Sequence, residues 1–130
     1  LMNTEFFSVP STLTAAETLA TIRRTAREAE TIYYVYITEP NGKLVGVISL
    51  GELVLADPEK PIREFMHKRL VYARLKDSQD DIAQAVSKYN LLALPVVDDQ
   101  GRIQGIVTAD DALDKIIPTA WKRRLPRLYH

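Results

Sequence analysis

Two rhythms of hydrophobic and polar residues alternate along this chain, and the whole succession occurs twice. Leu19, Ile22 and Ala26 recur at helical spacing, as do Ile82, Ala85, Val86 and Tyr89. Each pattern opens on a capping signal, Thr14 with Glu17 three residues on and Ser78 with the shorter Asp81. Ile32–Ile37 and Leu91–Val97 are dense in β-branched, leucine and aromatic residues and predict strands. Turn residues follow, Pro40-Asn41-Gly42 and Asp98-Asp99-Gln100-Gly101, where glycine supplies a positive φ. Leu44–Ile48 and Ile103–Val107 then predict returning strands. Ser49 and Thr108 each cap a further helix, with Glu52 and Asp111 at its N3 position, and the second of these helices ends before Pro118. A short strand is expected ahead of each unit, at Phe6–Val9 and at Leu70–Ala73. Pro58 and Pro61 keep the connecting stretch Leu55–Glu64 irregular at its start.

The repetition is explicit in the residues. Gly42–Leu53 and Gly101–Ala112 share the pattern Gly-basic-apolar-x-Gly-apolar-apolar-Ser/Thr-x-x-acid at a constant offset of 59. The helical stretch Thr14–Ile22 matches Ser78–Val86 at an offset of 64, so the first copy holds five extra residues in the Arg23–Glu30 region. A unit of about 60 residues buries too little surface to be more than marginally stable alone. The expected fold is therefore α/β, of the α+β type. Two pseudo-symmetric repeats, each a small sheet with two flanking helices, pack sheet to sheet. The repeats are placed at residues 1–62 and 63–117, followed by a basic tail at 118–130.

Composition narrows the function. The 130 residues are 46% hydrophobic and 26% charged, which supports a packed core. There is no cysteine, which excludes a disulfide scaffold, thiolate-bound metal and a cysteine nucleophile. No apolar run approaches the ~18–20 residues of a membrane span, and no secretory leader is visible. The chain opens on Leu1 rather than Met, as expected of a piece of a longer or processed protein. The net charge is zero, yet the last ten residues carry Lys122, Arg123, Arg124 and Arg127 and no acid, which leaves an acidic body. That balance argues against nucleic-acid binding by the body. No catalytic constellation is present: the two histidines, His67 and His130, lie outside the repeat cores, and His67 reads as a solvated helix end.

The double signature, with Leu94-Pro95-Val96-Val97 ahead of its second copy, resembles a tandem pair of CBS domains over about residues 4–117. Glu30–Tyr36, Leu55–Pro58 and Leu92–Asp98 are similar to the cytosolic CBS pair of MgtE-type magnesium transporters. The resemblance implies a non-catalytic, cytoplasmic regulatory module that forms a homodimer through its CBS pairs and acts on an attached or partner transporter domain. It implies Mg²⁺ sensing by acidic side chains and, in some members, binding of ATP or AMP.

The residues themselves suit such ligands. Thr108 and Asp111 at a strand-to-helix turn combine a hydroxyl, an acceptor carboxylate and helix amides. That set matches a nucleotide phosphate and the paired hydroxyls of a ribose, although the same spacing serves an ordinary capping box. The corresponding first cleft comprises Tyr34, Ser49 and Glu52. There Glu52 stands where ribose-binding CBS domains carry Asp, Gly51 where ATP-binding members carry a basic residue, and Leu91 where an aromatic stacks on the base. Thr108 and Asp111 are accordingly the better nucleotide candidates. Mg²⁺ needs oxygen ligands and keeps several waters, so one or two carboxylates per ion suffice. The resemblance retains sensing acids at Asp80, Asp111 and Asp114 and loses them at Ser78 and Asn90. The rival reading is a ligand-free dimerisation scaffold with vestigial clefts, and a third is an interaction module in which the basic tail binds a membrane or nucleic acid.

Overall fold

Helix α1 (Ala15–Thr25) begins on the reciprocal cap expected of its sequence. Thr14 Oγ1 accepts from the Glu17 amide at 3.1 Å, and Glu17 Oε1 accepts from the Thr14 amide at 2.9 Å. A cap of this kind contributes about 1 kcal/mol. Helix α3 (Gln79–Lys88) keeps only half of the arrangement: the Asp81 amide donates to Ser78 Oγ at 3.1 Å, and the shorter Asp81 side chain returns no bond. The end of α3 is a left-handed turn. Asn90 has φ 51°, its amide donates to Ser87 O, and the Leu91 amide donates to Val86 O at 3.1 Å. Asparagine tolerates this backbone better than other non-glycine residues, which accounts locally for Asn90. Tyr89, expected on the buried face of α3, is instead its C-cap and is half exposed.

The computed structural model describes residues 2–26 and 32–116, with side chains described as far as Ala112. It contains two three-stranded sheets of identical design. Strands β1 (Phe7–Pro10), β2 (Tyr34–Thr38) and β3 (Leu44–Ser49) lie in that order, β1 parallel and β3 antiparallel to β2. Strands β4 (Ala73–Arg74), β5 (Ala93–Val97) and β6 (Ile103–Thr108) repeat it. Helices α2 (Leu50–Leu55) and α4 (Ala109–Ile116) follow β3 and β6, and a 3₁₀ turn at Ile62–Glu64 ends the connection. The hairpin glycines take the predicted conformation, φ 91° at Gly42 and φ 79° at Gly101. β2 and β5 begin two residues later than their apolar runs. The carbonyls of Tyr33 and Leu92 are used instead to hold the first amides of α2 and α4, at 3.0 and 2.8 Å. The inserted residues of the first copy fall partly on 27–31, and the tail on 118–130, outside the described residues.

Three apolar layers organise the core. Val9, Ile22, Val35, Ile48, Leu53 and Ile62 join the first sheet to α1 and α2. Ala73, Ile82, Val86, Leu94, Val96 and Val107 join the second sheet to its helices. Between the sheets lie Tyr36, Leu44 and Val97, with Phe6, Leu70, Ile103 and Ile106 around them. Burying such side chains stabilises by roughly 1.5–3 kcal/mol each. β5 is buried along its whole length and β2 along its centre, whereas β3 alternates buried and half-buried positions. Only the middle strands are therefore covered on both faces. The Tyr36 hydroxyl is buried in the inter-sheet layer without a partner among the described residues, and burial pushes its ionisation above the ordinary tyrosine range.

The chain segments that precede each repeat cross over to the opposite sheet edge. Asn3 pairs with Ile106 on β6, through bonds of 2.7 and 2.8 Å, and His67 pairs with Val47 on β3, through bonds of 2.8 and 3.1 Å. Asn3 and His67 are 64 residues apart and Val47 and Ile106 are 59 apart, the offsets already seen in the repeats. His67 is thus a bridge residue on a sheet edge rather than a helix end. The second glycine of each signature makes room for this crossing. A Cβ at Gly46 would collide with Met66, and one at Gly105 would come within 2.8 Å of the Asn3 carbonyl oxygen.

Gly105→Ala is expected to destabilise the fold by about 1–3 kcal/mol, because the obstructing atom is backbone. Gly51 lies in α2, and a Cβ there would meet nothing within 4 Å, so Gly51→Ala is expected to stabilise by about 0.5–1 kcal/mol. Urea unfolding of the two variants beside the wild type checks both signs.

Candidate functional site

The two strand-to-helix turns that the sequence singles out are built alike but bonded differently. At the first, the Glu52 amide donates to Ser49 Oγ at 3.1 Å and the Ser49 amide donates to Glu52 Oε1 at 3.1 Å. The longer glutamate side chain reaches back far enough to complete the box. At the second, the Thr108 hydroxyl donates to Asp111 Oδ2 at 3.0 Å, and the Asp111 amide approaches Thr108 Oγ1 at 3.4 Å. The aspartate does not return to the Thr108 amide. Ser49 and Thr108 are half-buried, while Glu52 and Asp111 are exposed.

Strand register brings Tyr34 beside Ser49 and Ala93 beside Thr108. The Tyr34 hydroxyl, however, crosses between the repeats and accepts from the Leu92 amide at 3.3 Å. Leu92 O in turn holds the first amide of α4. Tyr34 thus belongs by backbone to the first cleft and by side chain to the foundation of the second. At the opposite, hairpin end, Leu44 N donates to Gly101 O and Ile103 N to Gly42 O, at 3.0 and 3.1 Å. A cavity of about 310 Å³ opens there, lined by Lys43, Leu70, Tyr72, Arg74 and Asp99 among others. It includes none of Tyr34, Ser49, Glu52, Asp80, Thr108 and Asp111.

The residue the sequence reading missed is His67. Its Nε2 lies 2.6 Å from Glu52 Oε2. An ionised carboxylate only accepts hydrogen bonds, so Nε2 carries the donated proton. A signal was available: Met66-His67 stands 64 residues after Met2-Asn3, so extending the repeat upstream would have brought both segments into the alignment. Burial works against the charge on Glu52, but the amide and hydroxyl of Ser49 and the His67 imidazole outweigh it. They hold its carboxyl below the ordinary glutamate range. The Thr14 amide and hydroxyl do the same for Glu17. Asp98 is also held low: burial opposes it, and the Arg102 and Gln100 groups prevail.

The metal candidates are less gathered. Asp80 and Asp111 are exposed in the first turns of α3 and α4, two helices that pack together. The Asp114 side chain lies outside the described ones. Among the described residues no group of three or more histidine or acidic side chains converges on a common point. One or two carboxylates completed by water remain compatible with Mg²⁺.

Residues 1–59 and 62–118 match the family model of the CBS domain, and the chain belongs to the CBS domain family as a tandem pair. Such a pair is a regulatory module, not a catalytic one. The magnesium transporter MgtE of Thermus thermophilus is 44% identical over 114 residues, covering 88% of this chain and 25% of the transporter. The chain thus spans about a quarter of the length of the curated relatives it matches first. The crystal structure of the cytosolic domain of the Mg²⁺ channel MgtE in complex with ATP superposes with a TM-score of 0.84 at 43% identity, over 88% of this chain and 46% of that one. The CBS domain pair of protein MJ0100, in complex with 5′-methylthioadenosine and S-adenosyl-L-methionine, gives 0.71 at 29% identity, over 89% and 95%. Among the described residues no helix is long and apolar enough to cross a membrane.

Depressed carboxylates contribute stability that is complete above the ordinary range near pH 4 and is lost as the pH falls through their folded values. Glu52→Gln is therefore expected to be less stable than wild type at pH 7, with the gap narrowing toward about pH 3. Urea midpoints measured across that interval check it.

Proposed function

We propose that this chain is the cytoplasmic regulatory CBS pair of an MgtE-like magnesium transporter or a related protein. It senses an adenine nucleotide, Mg²⁺ or both, and passes the signal on through a rearranged dimer. In this reading residues 1–62 and 63–117 are the two repeats. The observation that carries it is the Thr108–Asp111 turn: a hydroxyl and a carboxylate, whose Oδ1 meets no partner among the described residues, beside the start of α4. The ATP complex of the similar MgtE cytosolic domain supports the nucleotide class.

Each residue has a role that its chemistry can supply. Asp111 Oδ1 accepts ribose hydroxyls, and the Asp110 amide at the start of α4, with the Thr108 hydroxyl turned away from Asp111 Oδ2, receives the phosphate. Tyr34 supports the Leu92 segment on which α4 is seated. Ser49 and Glu52 form the corresponding but weaker first cleft. Asp80, Asp111 and Asp114 would hold Mg²⁺ through water-completed shells, and the ion would relieve repulsion between carboxylates brought close at a dimer contact. Val54 and Leu55, 60% and 88% exposed on α2, supply apolar surface for a second copy. Ligand binding acts by favouring one dimer arrangement over another, to the extent that it binds that arrangement more tightly. The committed carboxylate of Glu52 makes the first cleft the weaker of the two, and the second reading, a dimerisation scaffold without a ligand, requires both clefts to be silent.

Thermal unfolding with AMP, ATP, Mg²⁺ and an ionic-strength control tests the proposal. A ligand at ~100 times its Kd adds about 2.7 kcal/mol if it binds only the folded state, which raises the Tm by several degrees. Asp111→Ala is expected to weaken AMP binding about tenfold or more, since hydrogen bonds to a charged group are lost. No rise with any of these ligands would leave dimerisation as the remaining role.

A further inference from the structure

The two halves of the molecule serve as controls for each other. In the second half, Asp111 receives the Thr108 hydroxyl on Oδ2, and no described residue bonds to its Oδ1. Asn3, which bridges β6, turns its own Oδ1 to the Glu5 amide at 2.8 Å. In the first half the bridging residue is His67, and its ring reaches Glu52 Oε2 at 2.6 Å while the Ser49 amide occupies Oε1. Both oxygens of Glu52 are committed, whereas Asp111 Oδ1 meets no partner among the described residues.

We infer that His67 sets the selectivity between the two clefts: it competes with the ribose hydroxyls of an adenine nucleotide for Glu52, so that the Thr108–Asp111 cleft fills first. This inference rests on the nucleotide reading of the clefts given above. The contact is internal to the chain and needs no other ligand. Its strength is bounded by its exposure, since the His67 and Glu52 side chains are 56% and 46% exposed. An exposed pair of this kind changes an equilibrium by no more than about fivefold. His67 therefore biases the order of filling and does not abolish the first site. The one additional methylene of glutamate matters for the same reason: it lets the carboxylate meet the Ser49 amide and the imidazole together.

The test is a residue-resolved NMR titration of the whole chain with AMP, without Mg²⁺, on wild type and on His67→Asn. Asparagine is the residue that the first crossing segment already carries at the equivalent position, Asn3, so the backbone bridge is retained. The amides of Gly51 and Glu52 report the first cleft, and those of Asp110 and Asp111 the second. In wild type the second set is expected to saturate at lower AMP. In His67→Asn the midpoint of the first set is expected to fall by about three- to fivefold, with the second unchanged. An unchanged first-cleft midpoint, or a first cleft silent in both proteins, overturns the inference. Failure of the Asp110 and Asp111 amides to respond in wild type sinks the nucleotide reading of the second cleft separately, whatever the first does. His67→Gln repeats the comparison if His67→Asn loses its dispersed spectrum.

Discussion

The contact between the two sheets is the constraint on which this molecule depends. A unit of about 60 residues is marginal by itself, and each repeat here has helices on only one face of its sheet. The other face is covered by the neighbouring repeat, through Tyr36, Leu44 and Val97 and the apolar residues around them. Backbone bonds fasten the same contact at the hairpins, between Leu44 and Gly101, and the Tyr34 hydroxyl fastens it to Leu92 near the helix starts. Crossing segments close the outer edges of β3 and β6, which would otherwise offer unpaired backbone to other chains. The Tyr36 hydroxyl, which meets no partner among the described residues, shows how far apolar coverage dominates this layer. An unsatisfied buried hydroxyl costs about 1–3 kcal/mol, and the ring's burial against Phe6 and Tyr34 offsets it.

The same crossings decide the chemistry of the clefts. A segment that must pair with Val47 delivers the next available side chain to the Ser49–Glu52 turn, and in this chain that side chain is His67. The equivalent segment delivers Asn3 to the neighbourhood of Ile106, two residues before Thr108. The residue that closes the edge of β3 therefore also supplies the ring that meets Glu52. The glycines that admit the crossing, Gly46 and Gly105, are part of the cleft's architecture although they carry no functional group.

Near-symmetry also explains why two matching motifs need not do the same work. Ser49–Glu52 and Thr108–Asp111 occupy equivalent turns, and each first helical amide is held by an equivalent carbonyl. One methylene in the acid and one ring in the crossing segment are enough to engage both oxygens of one carboxylate where, among the described residues, only one oxygen of the other is engaged. The common backbone places the groups, and the side chains apportion the lone pairs.

Much of this was legible in the residues. The element order, the caps at Thr14, Ser49 and Ser78, the hairpin glycines and the twofold repetition all follow from local rules, because capping, turn geometry and apolar periodicity act over a few neighbouring residues. The pairing of Thr108 with Asp111 and of Ser49 with Glu52 was legible for the same reason. What the sequence did not disclose acts across the repeats. The Glu52–His67 pair spans 15 residues and the Tyr34–Leu92 bond 58. Tyr89 left the core because the left-handed turn at Asn90 ended its helix. Local residue patterns were enough to specify two copies of a small unit that need one another. Which edge each leading segment covers, and hence which carboxylate is engaged, was settled by packing, because that choice depends on strands brought together in space rather than on residues adjacent in the chain.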